Sequence, residues 1–209
     1  MNDRCYIDEL AQRYPELASL KVKIKEATDM IVECYKKGGK ILLCGNGGSA
    51  ADAEHISGEL LKGFVLKRTP EGEELERLGA VLGDDAKKLQ RGIPAIPLTS
   101  LTSVLSAFAN DVDPVLVYAQ LTYALGKAGD VLICLSTSGN SKNVVEAART
   151  ASALGISTVA LTGETESKLS EICDVTINAP ELETFKAQEC HLPIYHAICA
   201  EVERILFNK

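Results

Sequence analysis

The chain carries three histidines, at 55, 191 and 196, and the residues spaced around them could do proton or metal chemistry. His55 and Glu59 are four apart, so on a helix they share a face. Gln188 stands one turn before His191, and His196 follows eight residues after Gln188, about 80° around an ideal helix. Pro193 falls between them and is expected to bend the axis. A carboxylate and an imidazole facing one substrate can move protons between adjacent carbons, one as base and one as acid. The same set, His55, Glu59, Gln188 and His196, also offers nitrogen and oxygen donors to a divalent metal such as zinc. A lone histidine is more often a satisfied core residue. That reading weakens here, because His55 and Glu59 sit in the helix that leaves a glycine-rich loop.

That loop is one of two. Ile41-Leu42-Leu43-Cys44 runs into Gly45-Asn46-Gly47-Gly48-Ser49, and Val131-Leu132-Ile133-Cys134-Leu135 runs into Ser136-Thr137-Ser138-Gly139-Asn140-Ser141. Each passes from a buried-strand pattern into a helical one. Small residues, hydroxyls and backbone N–H groups therefore gather at two helix N-termini, where a phosphate is well received. Simple helix capping would explain one hydroxyl of the second loop but not four in six residues. Gly45-x-Gly47-x-x-Ala50 formally satisfies a dinucleotide fingerprint. Yet Phe64-Val65-Leu66-Lys67-Arg68 stands where that motif wants an acidic residue, and the second loop is left unexplained. A nucleotide P-loop is excluded, since no Gly-Lys-Ser/Thr follows a glycine loop.

The elements that must position these residues alternate. Strands are expected at 40–44, 94–99, 130–135, 157–162 and 174–178, with helices near 49–65, 101–109, 114–127, 141–154 and 166–172 and a long last helix over 184–207. Before them, 6–38 is helical in period with a break at Pro15, and Leu10, Leu17, Ile24, Ala27 and Ile31 among its inward positions. Short apolar strands with helical crossovers imply an α/β fold: a five-stranded parallel sheet between two helical layers. Residues 67–92 interrupt the alternation and read as an insertion, a lid or subunit contact, with short helices broken at Gly79 and Gly83. No boundary splits the chain, so a single domain over 1–209 is expected.

Charge and cysteine usage narrow the setting. The net charge is −7 with no basic stripe, which argues against nucleic acid as a partner. No stretch reaches the roughly 18 apolar residues of a membrane span, and Met1 to Tyr6 shows no apolar leader. Seven cysteines, an odd number without a CxxC, read as buried apolar residues in a reducing compartment, hence a cytoplasmic protein.

The motifs together resemble one family. Cys44-Gly45-Asn46-Gly47-Gly48-Ser49, Asp52-Ala53-x-His55 and Glu59 look like the start of a SIS (sugar isomerase) domain of the phosphoheptose isomerase group. Pro94-Ala95-Ile96, Ala109-Asn110-Asp111, Ser136 to Ser141, Leu161-Thr162-Gly163 and Gln188-Glu189-x-His191 with His196 continue the likeness. The resemblance implies the flavodoxin-like SIS fold and a homotetramer with active sites at subunit interfaces. It implies interconversion of sedoheptulose 7-phosphate and D-glycero-D-manno-heptose 7-phosphate through an enediol. By analogy Ser49, Ser136, Thr137, Ser138 and Ser141 hold the phosphate, Asn46, Asp111 and Gln188 contact the substrate, and Glu59 and His196 move protons. Zinc, one per subunit, is implied on His55, Glu59, Gln188 and His196.

Some residues depart from that pattern. Gly63 replaces an Arg common in relatives, and Lys186 or a residue of 67–92 is a candidate to restore the charge. A non-catalytic relative, the DnaA-binding replication initiator-associating protein, tends to show Arg where Ser138 stands. Ser138, with Glu59 and His196 retained, favours the enzyme over this main rival, and an isomerase for another sugar phosphate is a further alternative.

Overall fold

The structure is a computed structural model and describes residues 5–208. Met1 to Arg4, most of the segment read above for a leader, and Lys209 lie outside the described residues. Five strands form one sheet, parallel throughout: β1 (Ile41–Gly45), β2 (Ala95–Pro97), β3 (Val131–Leu135), β4 (Ser157–Thr162) and β5 (Val175–Asn178), in the order β2-β1-β3-β4-β5. All five expected strands are present.

Their side chains alternate between two cores, as the pleat requires. Ile41, Leu43, Val131, Ile133 and Leu135 pack with α1 (Tyr6–Arg13), α2 (Lys21–Lys36), α3 (Gly48–Leu61) and the long α9 (Thr184–Phe207). Leu42, Cys44, Leu132 and Cys134 pack on the other face with α6 (Val117–Leu125), α7 (Lys142–Ala153) and α8 (Lys168–Ile172). Burial on both faces is why β1 and β3 read as unbroken apolar runs rather than alternating ones. The seven cysteines, three in helices, two in strands and two flanking helix ends (Cys5 and Cys173), are all buried or half-buried free thiols. Among the described residues no helix is long and apolar enough to cross a membrane.

The strand order reverses at β1, with β2 on one side and β3 on the other. Ligands in open parallel sheets bind at such a switch point, beyond the carboxyl ends of the strands. Gly45 pairs with Leu135 in the β1–β3 ladder, so the two loops leave the sheet side by side. At the opposite end, Asp130 ties the same two strands together. Its fully buried carboxylate accepts from the Lys40 N–H (2.9 Å), the Lys127 N–H (2.9 Å) and Lys40 Nζ (2.6 Å).

The chain departs from expectation in the connections. The helix expected over 49–65 stops at Leu61, and the one over 114–127 opens with a 3₁₀ turn, Pro114–Leu116, capped by the Asp113 side chain. Within 67–92, α4 (Gly72–Leu82) runs straight through Gly79 and ends only at Gly83, where φ is +58°. A solvated glycine costs a helix only about 1 kcal/mol, whereas the positive φ at Gly83 ends it outright. No residue of α4 is buried. Between α4 and β2 lies a 3₁₀ turn, Gly83–Lys88, and α5 (Thr102–Asp111) follows β2.

Burial alone would raise the Asp130 carboxyl, but Lys40 and the two backbone donors hold it below the usual carboxylate value. A lowered folded value means this contribution is complete above the ordinary value near ~3.9 and fades as pH falls through the folded one. Asp130→Ala should therefore lower the unfolding free energy at neutral pH by roughly 2–4 kcal/mol. In urea melts run from pH 7 downward, the gap between variant and wild type should close only in strong acid.

Candidate active site

The first loop places its residues by backbone geometry. Gly47 adopts φ +56° at the start of α3, and a Cβ at Gly48 would lie 2.1 Å from the Gln188 amide, which would have to turn aside. Tyr118 on α6 donates from its hydroxyl to the Gly45 carbonyl (2.6 Å) and holds the strand end. Asn46 and Asn143 exchange two amide hydrogen bonds of 2.9 Å, which fasten the first loop to the first turn of α7. Neither helix N-terminus is capped by a side chain. The hydroxyls of the second loop are thus not spent on capping α7: Ser136 Oγ donates to Ser141 Oγ (3.1 Å), and Ser138 Oγ accepts from the Asn140 N–H. Ser49 and Ser136 are buried, Thr137 and Ser141 half-buried, and Ser138 exposed.

Two turns along α3 from that loop, three of the residues expected to do proton or metal chemistry converge. His55 Nε2 lies 3.3 Å from Glu59 Oε1 and 3.3 Å from Nε2 of His196 on α9. Lys62 Nζ sits 2.9 Å from the other Glu59 oxygen, and the Phe64 ring packs 5.5 Å from that of His196. Burial, reinforced by His55 and Arg13, holds His196 below the ordinary imidazole value against the pull of Glu59, so it is neutral at pH 7. A cavity of about 380 Å³ opens on the outer side of His196, between α1 and α9, walled by Phe64, Tyr14 and Arg13 among others.

Gln188 is placed differently. Its Nε2 donates to Asp52 Oδ2 (3.3 Å), and Asp52 Oδ1 accepts from the Tyr195 hydroxyl (3.2 Å), which is also 3.0 Å from His55 Nδ1. Burial raises the Asp52 carboxyl, opposed by the Tyr195 and Gln188 donors. Gln188 therefore joins the cluster through Asp52 and Tyr195. His191 is fully buried, with Nε2 3.1 Å from the Thr162 carbonyl, and is a core histidine held below the ordinary value by burial. Asp111 ends α5, exposed, its carboxylate taken by the Asn110 amide at 2.8 Å.

The donor set suits zinc in kind. Tetrahedral ligands at the usual 2.0–2.1 Å stand about 3.4 Å apart, close to the two 3.3 Å edges around His55 Nε2. The cage is not closed: no group of three His, Cys, Asp or Glu among the described residues forms a complete metal-holding set.

Asp52, Tyr195, Asn143 and the pair Arg68–Glu203 were not singled out as site residues from sequence. The spacing held a signal for two of them. Asp52, His55 and Glu59 fall at i, i+3 and i+7, as do Gln188, His191 and Tyr195, so each set marks one stripe of its helix. Gly63, lacking the relatives' Arg, has no space for one: a Cβ there would lie 2.4 Å from the Leu66 carbonyl oxygen. Of the candidates to restore that charge, Lys186 pairs with Glu183 on the surface, and Arg68, one cation of the 67–92 stretch, is engaged with Glu203.

Arg68 and Glu203 form an ion pair (2.6 Å) with neither side chain exposed. Glu203 also accepts from the N–H groups of Phe64, Val65 and Leu66, and Arg68 donates to the Leu60 and Glu59 carbonyls that end α3.

A parallel five-stranded sheet with hydroxyl-rich loops at its switch point and a Glu–His cluster beyond them defines a sugar-phosphate isomerase type of domain. A family model for the SIS domain matches residues 5–91 and 86–163. The chain is 37% identical over 190 residues to a phosphoheptose isomerase of Burkholderia pseudomallei, covering 91% of this chain and 85% of the relative. It is 39% identical over 185 residues to one from Aneurinibacillus thermoaerophilus, with 88% and 82% covered. Its structure matches the phosphoheptose isomerase of Neisseria gonorrhoeae with a TM-score of 0.73 at 34% identity, covering 93% and 94% of the two chains. That of Francisella tularensis matches at 0.74 and 28%, with 95% of each covered. The chain belongs to the SIS-domain phosphoheptose isomerase family.

Removing one partner of a fully buried ion pair strands the other, at a cost of about 3–5 kcal/mol. Glu203→Gln should lower the unfolding free energy by that amount in urea titrations. Arg149→Ala, which breaks the exposed pair with Glu146, should change it by no more than about 0.5 kcal/mol.

Proposed function

We propose that the protein is an aldose–ketose isomerase that converts sedoheptulose 7-phosphate to D-glycero-D-manno-heptose 7-phosphate through an enediol. One observation carries this reading: Glu59 and His196 both lie 3.3 Å from His55, on the helix opened by the glycine loop. Ser49 and His55 are six residues apart on that helix, about 9 Å along its axis, the scale of an extended seven-carbon chain with its phosphate. The phosphate is received by Ser49, Ser136, Thr137, Ser138 and Ser141, with Asn46, Asp111 and Gln188 along the sugar.

The reaction then needs two proton transfers. Glu59 takes the carbon-bound proton from C1 of the ketose and returns it at C2. His196, neutral at working pH, takes the hydroxyl proton from O1 and delivers it to O2. The aldehyde forms at C1 and the proton count closes. Anchoring the phosphate fixes C1 and C2 against both groups, which lowers the entropic part of the barrier. A zinc ion held by His55, Glu59, His196 and a reoriented Gln188 would supply positive charge beside the developing enediolate oxygen.

The family resemblance supports a homotetramer with sites completed between subunits, and the half-open His55 is in keeping with a site lacking one wall. Seven free cysteines support work in a reducing compartment, taken here as the cytoplasm.

Purified protein incubated with sedoheptulose 7-phosphate should yield the aldose. Glu59→Gln and His196→Ala should each lower kcat by at least about a hundredfold. No turnover by the wild type with zinc supplied would overturn the substrate, and full activity of Glu59→Gln would overturn the base.

Elemental analysis after zinc loading should give about one ion per chain, lost in His55→Ala. A wild type that binds none would remove the metal and leave acid–base chemistry alone.

A further inference from the structure

The Tyr195 hydroxyl stands between two groups and owns one proton. It is 3.2 Å from Asp52 Oδ1 and 3.0 Å from His55 Nδ1, and its side chain is almost wholly buried. Both Asp52 oxygens act as acceptors, Oδ1 from Tyr195 and Oδ2 from the Gln188 amide, as an ionised carboxylate requires. A tyrosine phenol, with an ordinary value of about 10, keeps its proton at neutral pH. The hydroxyl therefore donates to Asp52 and can only accept from His55. That direction places the His55 proton on Nδ1.

The consequence falls on the other ring nitrogen. With its proton on Nδ1, His55 presents a bare lone pair at Nε2, the atom 3.3 Å from both Glu59 Oε1 and His196 Nε2. We infer that Tyr195 is a positioning residue: through the chain Asp52, Tyr195, His55 it sets the tautomer in which His55 turns an acceptor toward the Glu59–His196 pair. It touches no reacting atom. An imidazole that must accept a proton or ligate a cation needs its second nitrogen held in this way by a neighbouring acceptor. The functional meaning rests on the isomerase reading above, but the tautomer itself does not.

Three histidines make the test tractable. Ring ¹⁵N shifts of metal-free, histidine-labelled protein would be recorded at about pH 8.5, two units above the ordinary imidazole value. In the wild type His55 should be protonated on Nδ1, while His191 should be protonated on Nε2, where it faces the Thr162 carbonyl. In Tyr195→Phe the Nδ1 proton loses its acceptor and the Glu59 carboxylate offers one to Nε2, so His55 should change to the Nε2–H form. His191, as internal reference for an intact fold, should stay unchanged. With sedoheptulose 7-phosphate, the variant should lose kcat about tenfold while KM stays within about twofold, because the phosphate loops are untouched. His55 protonated on Nε2 in the wild type, or unaltered in the variant, overturns the inference. An absence of turnover in the wild type would instead overturn the isomerase reading and leave the tautomer result standing.

Discussion

The buried pair of Arg68 and Glu203 is the constraint on which the arrangement of the site depends. Glu203 lies near the end of α9 and gathers three backbone N–H groups of the turn after α3, while Arg68 closes over the last carbonyls of α3 itself. The Arg68 guanidinium also stacks 4.9 Å from the Phe207 ring at the end of α9. Two charges removed from water are costly unless every donor and acceptor is used, and here nearly all are. The yield of that arrangement is geometric. It fixes α9 against α3, and hence His196 against His55 and Glu59, with an accuracy that apolar packing alone leaves looser.

The sheet supplies the other end. Because β1 and β3 are neighbours in register, the two loops emerge together at the switch point, and the Asn46–Asn143 amide pair fastens one to the other. The helix α3 spans both parts: its first residues belong to the glycine loop and its last two turns carry His55 and Glu59. One rigid element thus sets the distance between the glycine loop and the His55–Glu59 pair. A change that tilts α3 acts on both ends, even though no atom of the substrate need touch the altered residue.

Much of this was legible in the chain. The five strands stand within two residues of their expected bounds at almost every end, because fully buried parallel strands print as apolar runs bounded by Gly, Pro and Asp. His55 and Glu59 share a face as their spacing predicts, and His196 lies against His55 from α9. The less legible parts share a cause. The early stop of α3 at Leu61 follows from Glu203, 142 positions later in the chain, and no local pattern reports such a partner. The turn of Gln188 toward Asp52 depends likewise on the depth at which two helices cross. Pro193, expected to bend the axis, does not break α9, which continues through it as one helix, since its buried face on α1, α2 and α3 outweighs one missing backbone bond.

The polarity of α9 shows how stability and reactivity are kept apart on one helix. Tyr195, Ile198, Cys199 and Val202 are buried, and Glu203 is locked at its end. His196, one position from Tyr195, faces the half-open side with His55 and the cavity. Successive residues on a helix point about 100° apart, so the chain can step from a sealed network to an accessible imidazole within one position. The sealed side holds the Tyr195 hydroxyl between Asp52 and His55, while His196 meets His55 through Nε2 and borders the cavity.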